Sequence, residues 1–457
     1  MNAPPPAQSV TEILAEKVVT LRPDAIPVPV RERAEQLLID VVGLCVAARD
    51  TDYMKALIDA ADAGGVCTAI GRAATYDAGT AALINGTAAH GEDFDDTFEG
   101  GPVHSSAVVI PAVLAACERF GRDGRAALAG IVAGVEATCR LSMIVPKAIH
   151  KAGFHPTSVL GTMGAALAAA KAMGLDRRQT VDALGIAGSM AGGIIEYLAE
   201  GAWTKRMHPG WAAKAGITAA RLGQTGFLGP RTVLEGTHGL FHGFARSLEG
   251  DYGVLTNGFG EKWFMDAITF KPYATGTMNQ PYVDCALRLR ARGVHAEDVK
   301  EILCETAEGY VHRLWEPLAS KHRPANAYAA KFSTPFNIAV AFVTGGAGIA
   351  AFTEETAKDE RILALASKVR YVVDPKNPYP KAYTGHILIT LNDGKVLEER
   401  QPHIRGGAHE PLTRAEIEAK FRGNCEHGSW PKERAQRFLD TVPKFFSSPL
   451  DLSQLRG

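Results

Sequence analysis

The chain has 457 residues, 46% of them apolar and only 7% aromatic, enough for a large core and suited to closely packed helices rather than an aromatic-rich β-sandwich. A formal net charge of -1 supplies no global field for nucleic acid or an anionic membrane, so neither is expected as a partner. Seven scattered cysteines make no CxxC pair; they read as buried thiols of a reducing compartment, and cytoplasm is the expected location.

In chain order, "MNAPPPAQSV" lacks a basic region followed by an apolar run and reads as a short disordered tail, not a secretory signal. No uninterrupted apolar run of about 18 residues suggests a membrane span. From Val28 to Ala267 the pattern is helical. "PVPVRERAEQLLIDVVGLCVAA" repeats apolar residues at three- and four-residue steps after a Pro-rich start. "SSAVVIPAVLAACERFG" starts on Ser and stops on Gly, and "DGRAALAGIVAGVEATCRLS" follows at once as the second arm of a helical hairpin. "HPTSVLGTMGAALAAAKAMGL" and "DRRQTVDALGIAGSMAGGIIEYL" predict another, with Gly- and Ala-rich faces that let backbones approach.

After residue 267 the texture changes. "VKEILCETAE" and "KVRYVVDP" read as strands, and "GHILITLNDGKVLEERQPH" alternates and turns at Asn392-Asp393-Gly394, a hairpin signal. "STPFNIAVAFVTGG" and "RILALASKV" read as helices between them, and "TRAEIEAKFRGNC" and "WPKERAQRFLDTV" return to helix. The expected fold is mainly α with an inserted α/β domain: an all-helical domain over 1–267 and 404–457, and a smaller α/β lid over 268–403.

The stretch "HGEDFDDTFEGGPVH", residues 90 to 104, puts four acids in five residues between two histidines. Taken as a helix, "AALINGTAAHGEDFDDTF" places His90, Asp93 and Thr97 on one face and turns Asp95 and Asp96 elsewhere. "EGGP" breaks that helix and leaves His104 in the loop before Ser105 and Ser106, where a helix start offers free N–H groups to anions. A metal site needs His and Asp on facing elements, but no second DDxxD and no HExxH occurs. The D-x-D-D acid of helical terpenoid cyclases needs a pocket of aromatics, which this composition lacks. A capping, solvated acidic turn is the bland alternative. Two other stretches favour chemistry: His155 precedes the helix start "PTS", and Lys205, Arg206 and His208 precede another. Histidines and cations at helix N-termini suit a small carboxylate.

These stretches together resemble the MmgE/PrpD family, also called the 2-methylcitrate dehydratase family, which includes cis-aconitate decarboxylases and an iminodisuccinate epimerase. The carriers are "HGEDFDDT", "HSSAVVIPAVLA", "GFHPTSVLGTMGAALAAAKAMGL", "GWAAKAGITAARLGQTGFLGP", "FKPY" and "YAAKFSTPF", and they cover nearly the whole chain. The resemblance implies a large helical domain, an α/β lid, an active site between them and a homodimer. It carries catalytic roles onto Asp93, His104, His155 and Lys205, and substrate binding onto Thr97. Two positions depart from decarboxylase-like members: Gln280 stands where they have a histidine ahead of the first lid helix, and Phe336 where they have a tyrosine. The loop before His104 is also one residue longer.

The implied chemistry abstracts a proton α to a carboxylate of a small di- or tricarboxylate, with cations to stabilise the aci-carboxylate. Lys205 is the expected cation, helped by Lys271; His104 and His155 form an acid/base pair, roles unassigned. Asp93 orients an imidazole or acts as base. Arg206, Tyr273 and Gln280 complete the substrate-binding set. No GxGxxG unit, Walker loop or Fe–S cysteine set is present, so no cofactor and no metal is expected. The expected activity is a cofactor-independent dehydratase, with an epimerase, a decarboxylase, a metal hydrolase and a non-catalytic carboxylate-binding protein as alternatives.

Overall fold

The computed structural model describes residues 8–101 and 103–457. Most of the expected N-terminal tail, residues 1–7, and Pro102 of the "EGGP" breaker lie outside the described residues. The chain divides into two units. One comprises the chain up to Gly91, Asp95–Ile268 and Arg414–Gly457; the other comprises Glu92–Phe94 and Thr269–Thr413. The structure is mainly helical with small sheets.

In the first unit the principal helices are α1 (Val10–Thr20), α2 (Val28–Ala48), α3 (Ala78–Gly91), α4 (Ser106–Phe120), α5 (Gly124–Ile144), α6 (Pro156–Met173), α7 (Arg177–Met190), α8 (Thr204–Gln224), α9 (Arg414–His427) and α10 (Lys432–Phe445). Helix α1 begins where a tail was expected. Ser9 and Glu12 form a capping box: the Glu12 N–H donates to Ser9 Oγ at 3.2 Å and the Ser9 N–H to Glu12 Oε2 at 2.8 Å. Helix α7 stops at Met190, short of the expected "AGGIIEYL", where its C-cap Ala191 turns extended at ψ 147°, and Gly193 beyond it takes φ +112°. Helix α5 is long and apolar enough to cross a membrane, but 94% of that window is buried within the protein, as for a core helix.

Small residues set the helix spacing. A Cβ on Gly86 of α3 would lie 2.6 Å from the Gly210 Cα of α8, and one on Gly210 would lie 2.2 Å from the Leu83 carbonyl oxygen. Helices α3 and α8 therefore touch backbone to backbone. That contact brings His90, one turn beyond Gly86, and His208, just before Gly210, into the same part of the core. Helices α5 and α6 also approach closely: a Cβ on Gly164 would lie 1.9 Å from Thr138 Oγ1. Helix α9 returns to α2 through Lys420 Nζ and Asp40 Oδ1, 2.7 Å apart.

The second unit carries a four-stranded sheet of β1 (Val299–Thr306), β2 (Val369–Val373), β3 (Gly385–Leu391) and β4 (Val396–Gln401), in the order β2-β1-β3-β4. β1 runs parallel to β2 and antiparallel to β3. The β3–β4 hairpin turns at the expected Asn-Asp-Gly, with Gly394 at φ +87°. The expected helices form at Thr334–Thr344 and Glu360–Ala366.

The expected helix through the acidic stretch does not form. α3 ends at Gly91, Asp93 sits at φ +54°, and Thr97 lies in a two-residue strand. A left-handed conformation at a non-glycine residue costs on the order of 1–2 kcal/mol and is incompatible with a continuing helix. His90, Asp93 and Thr97 therefore share no helical face.

Candidate active site

In the first unit four imidazoles gather, each delivered by a different helix end. His90 closes α3, His104 precedes α4, His155 is the N-cap of α6 and His208 lies in the first turns of α8. Ring centroids are 4.8 Å apart for His90 and His104, 5.8 Å for His90 and His155, 6.4 Å for His104 and His155, and 5.2 Å for His155 and His208. All four are buried.

Asp95 and Asp96, expected to turn away, are the acids that hold this cluster. Asp95 Oδ2 lies 2.7 Å from His90 Nδ1, and Asp95 Oδ1 lies 3.7 Å from His104 Nδ1. The Asp96 carboxylate accepts from the backbone N–H groups of Ser105 and Ser106 at 3.2 and 3.1 Å, and from both seryl hydroxyls. The free N–H groups at the start of α4 thus bind an anion, but that anion is Asp96 itself. Complete burial, and then the neighbouring Asp95 charge, push the Asp96 carboxyl up to about 7, against the pull of the four donors.

His104 Nδ1 lies 2.6 Å from the Asp96 carbonyl oxygen, which can only accept, so Nδ1 carries a proton. Thr97 Oγ1 is 3.3 Å from the same Nδ1, and the His104 N–H donates to Thr157 Oγ1 at 3.2 Å. His155 is held well below the ordinary imidazole range by burial first, then by His90, Lys205, His208 and His104. Its Nδ1 lies 3.1 Å from His208 Nδ1. Burial, His90 and Lys205 lower His208 to about 4. Lys205 in the first turn of α8 is close enough to act on both rings. His208 borders a cavity of about 650 Å³ whose walls include Ser158, Glu196, Tyr197, Glu200 and Trp211. Arg206 stacks over the Tyr53 ring at 4.3 Å.

The first unit therefore collects His104, His155, Lys205 and Thr97 from the expected set and adds His90, Asp95, Asp96 and His208. His90 was visible as one end of the acidic stretch; the partners of His208 and Asp96 lie too far along the chain, or on the wrong expected face, for spacing to reveal. His90, Asp95 and His104 also offer ligand atoms within 4.8 Å of one another, a grouping that could hold a metal ion.

Within the second unit Lys271 is fully buried and donates to Asp93 Oδ1 at 3.0 Å and to its carbonyl oxygen at 2.9 Å. This grip holds Asp93 in its left-handed conformation. Lys331 treats Glu92 the same way, at 2.7 Å to Oε2 and 2.7 Å to the carbonyl oxygen. The Tyr273 hydroxyl donates to Asp284 Oδ1 at 2.6 Å, and burial and that carboxylate push the phenol up. Gln280 is a backbone clip: its amide donates to the carbonyls of Tyr273 and Thr275 and accepts from the Tyr273 N–H. Phe336 is fully buried against Phe352.

Residues 12–251 match the MmgE/PrpD N-terminal domain and residues 273–444 the MmgE/PrpD C-terminal domain. A cis-aconitate decarboxylase of Homo sapiens is 29% identical over 76% of this chain and 72% of its own length. A cis-aconitate decarboxylase-like protein of Aspergillus oryzae is 26% identical over 98% of this chain and 97% of its own. A cis-aconitate decarboxylase of Aspergillus terreus is 26% identical over 90% and 88%.

Proposed function

The chain belongs to the MmgE/PrpD family, and from that premise we propose that it is a cofactor-independent hydro-lyase that dehydrates a small hydroxylated di- or tricarboxylate of the 2-methylcitrate type. Relatives that are decarboxylases support lyase chemistry in general. The observation that carries the assignment of roles is the hydrogen bond from His104 Nδ1 to the Asp96 carbonyl. It puts the Nδ1 proton on the protein side of the ring, which suits His104 to the role of base through Nε2. The α-proton moves to Nε2, and the electron pair of the C–H bond passes into the substrate carboxylate. Lys205 meets the aci-carboxylate charge as it grows. Asp95, 3.7 Å from His104 Nδ1, stabilises the imidazolium that forms. Thr97 binds a substrate oxygen. His155 donates to the departing hydroxyl oxygen, so that water leaves. Within the second unit Lys271 holds Asp93, and Gln280 clips the backbone of Tyr273 and Thr275; in the first unit Arg206 stacks on Tyr53. The protein works as a homodimer in the cytoplasm.

Decarboxylation is the rival within the family, since it is what the relatives are named for. Gln280 and Phe336 argue against it, because neither moves a proton where decarboxylase-like members have histidine and tyrosine. A second reading rests on the grouping of His90, Asp95 and His104, which could hold a divalent cation that would polarise a carboxylate; loss of turnover with a chelator would favour it. Proton NMR of the enzyme with a panel of polycarboxylates in D₂O separates the possibilities. Dehydration yields a vinylic product and water, epimerisation gives deuterium incorporation without an alkene, and decarboxylation gives loss of one carboxyl carbon. Binding of citrate-like acids without turnover or exchange would sink the enzyme reading.

A further inference from the structure

The proposed role of His155 contains a difficulty. Its ring is buried beside Lys205 and three other imidazoles, an environment that keeps it neutral. A neutral imidazole is a very poor acid: losing the proton from Nε2 would leave an anion in the core. The ring can donate from Nε2 only if Nδ1 gains a proton in the same event.

The structure puts one group in position to supply it. His208 Nδ1 lies 3.1 Å from His155 Nδ1. Two nitrogens at that distance share one proton: one ring is protonated at Nδ1 and the other is bare there. We propose that His208 is a proton-relay partner of His155, connecting the buried ring to water in the cavity of about 650 Å³ that His208 borders. The inference rests on the dehydratase reading and deepens it. In the resting state His208 carries its proton on Nδ1 and His155 on Nε2. As the C–O bond breaks, its electron pair leaves with the hydroxyl oxygen and His155 Nε2–H protonates it to water. The His208 Nδ1 proton shifts to His155 Nδ1, and His208 Nε2 takes a proton from a cavity water. The hydroxide left in the cavity is neutralised when His104 releases the α-proton to solvent, so the sum is loss of one water from substrate. The two rings finish with tautomers exchanged, and the reverse shift between turnovers resets them. Glu196 and Glu200 in the cavity wall offer carboxylates to hold the exchanging water.

The distinctive consequence is a pair of neutral rings in opposite tautomers. Long-range ¹⁵N–¹H spectra of the full-length protein labelled at histidine, without substrate at pH 7, should show one Nδ1-protonated and one Nε2-protonated ring for positions 155 and 208. Two rings in the same tautomer, or either ring cationic, overturn the relay. This readout needs no turnover, so it stands even where no polycarboxylate is dehydrated, an outcome that removes the dehydratase reading instead. With turnover in hand, His208→Gln keeps a hydrogen-bonding side chain but cannot pass a proton. Its kcat should fall on the order of 10²-fold with KM within about threefold of the parent. His208→Ala should regain kcat with added imidazole, and across substituted imidazoles the rescue should follow their basicity. A parental kcat in His208→Gln, or rescue that ignores basicity, refutes the relay and leaves His208 a packing residue.

Discussion

Two buried polar clusters in the first unit make opposite use of their hydrogen bonds. In α5, Arg140 and Glu136 are both fully buried, with Arg140 Nε 2.6 Å from Glu136 Oε1. Arg140 donates to the carbonyls of Val254, Asn257, Gly258 and Lys262, and Glu136 accepts the N–H groups of Phe264 and Met265. The guanidinium also lies over the Phe264 ring at 4.8 Å. This network is saturated and pins residues 254–265 to α5. The histidine cluster is not saturated: His90 Nε2 and Ser158 Oγ are buried and find no hydrogen-bond partner among the described residues. A buried polar group without a partner costs about 1–3 kcal/mol. Full pairing suits the Arg140–Glu136 cluster to holding structure, and the histidine cluster is where the chemistry is proposed.

That contrast can be broken in a definite order. Arg140→Ala strands the Glu136 carboxylate and should cost about 3–5 kcal/mol in urea unfolding, with activity per folded molecule unchanged; an unchanged midpoint would make the network ornamental. In the histidine cluster the order reverses. His104→Ala should leave unfolding near the parent while kcat falls by about 10²–10⁴, with the base limb of the pH–rate profile lost. Lys205→Ala should lower kcat/KM by about 10² or more. Near-parental turnover in both would move the chemistry elsewhere.

The pH dependence of stability sharpens the comparison further. An unfolded imidazole takes its proton near 6.5, whereas His208 stays neutral down to about 4, so the unfolded chain binds more protons in that window and stability falls as the pH drops through it. Asp96 runs the other way. Its folded carboxyl titrates at about 7 against an ordinary 3.8, so its contribution is full below 3.8 and is lost as the pH rises through 7. Between pH 4 and 6.5 the two oppose. His208→Gln should tilt the stability profile downward with rising pH, and Asp96→Asn should tilt it upward; equal tilts would contradict both burials. The smallest effect is expected for Ser158→Ala, which removes an unpartnered hydroxyl and should leave the unfolding free energy within about 0.5 kcal/mol of the parent or above it.

Where signals were local, sequence and structure agree. Gly121 after α4 at φ +61°, Asp123 capping α5, and Asn-Asp-Gly between β3 and β4 each act through neighbouring backbone groups. The Ser9–Glu12 capping box is equally local, an S-x-x-E pattern just after the Pro-rich start. The acidic stretch misled for a different reason. Its spacing fits a helix, but Gly91 and the grip of Lys271 on Asp93, 178 residues away, end α3 there. Asp95 thereby meets His90, Asp96 meets Ser105 and Ser106, and Asp93 meets Lys271.

Sequence alone determined the family, the mainly helical class, most helix and strand positions, and the residue types able to move a proton beside a carboxylate. These rest on local periodicity, caps and motifs that no distant contact overrides. Tertiary structure alone decided which side chains meet. The glycine contact between α3 and α8 carries His90 and His208 inward, Asp96 turns back onto α4 and fixes the His104 proton, and His155 meets His208 from 53 residues away. Protonation states follow from burial and from neighbours in space, and only the folded chain supplies both.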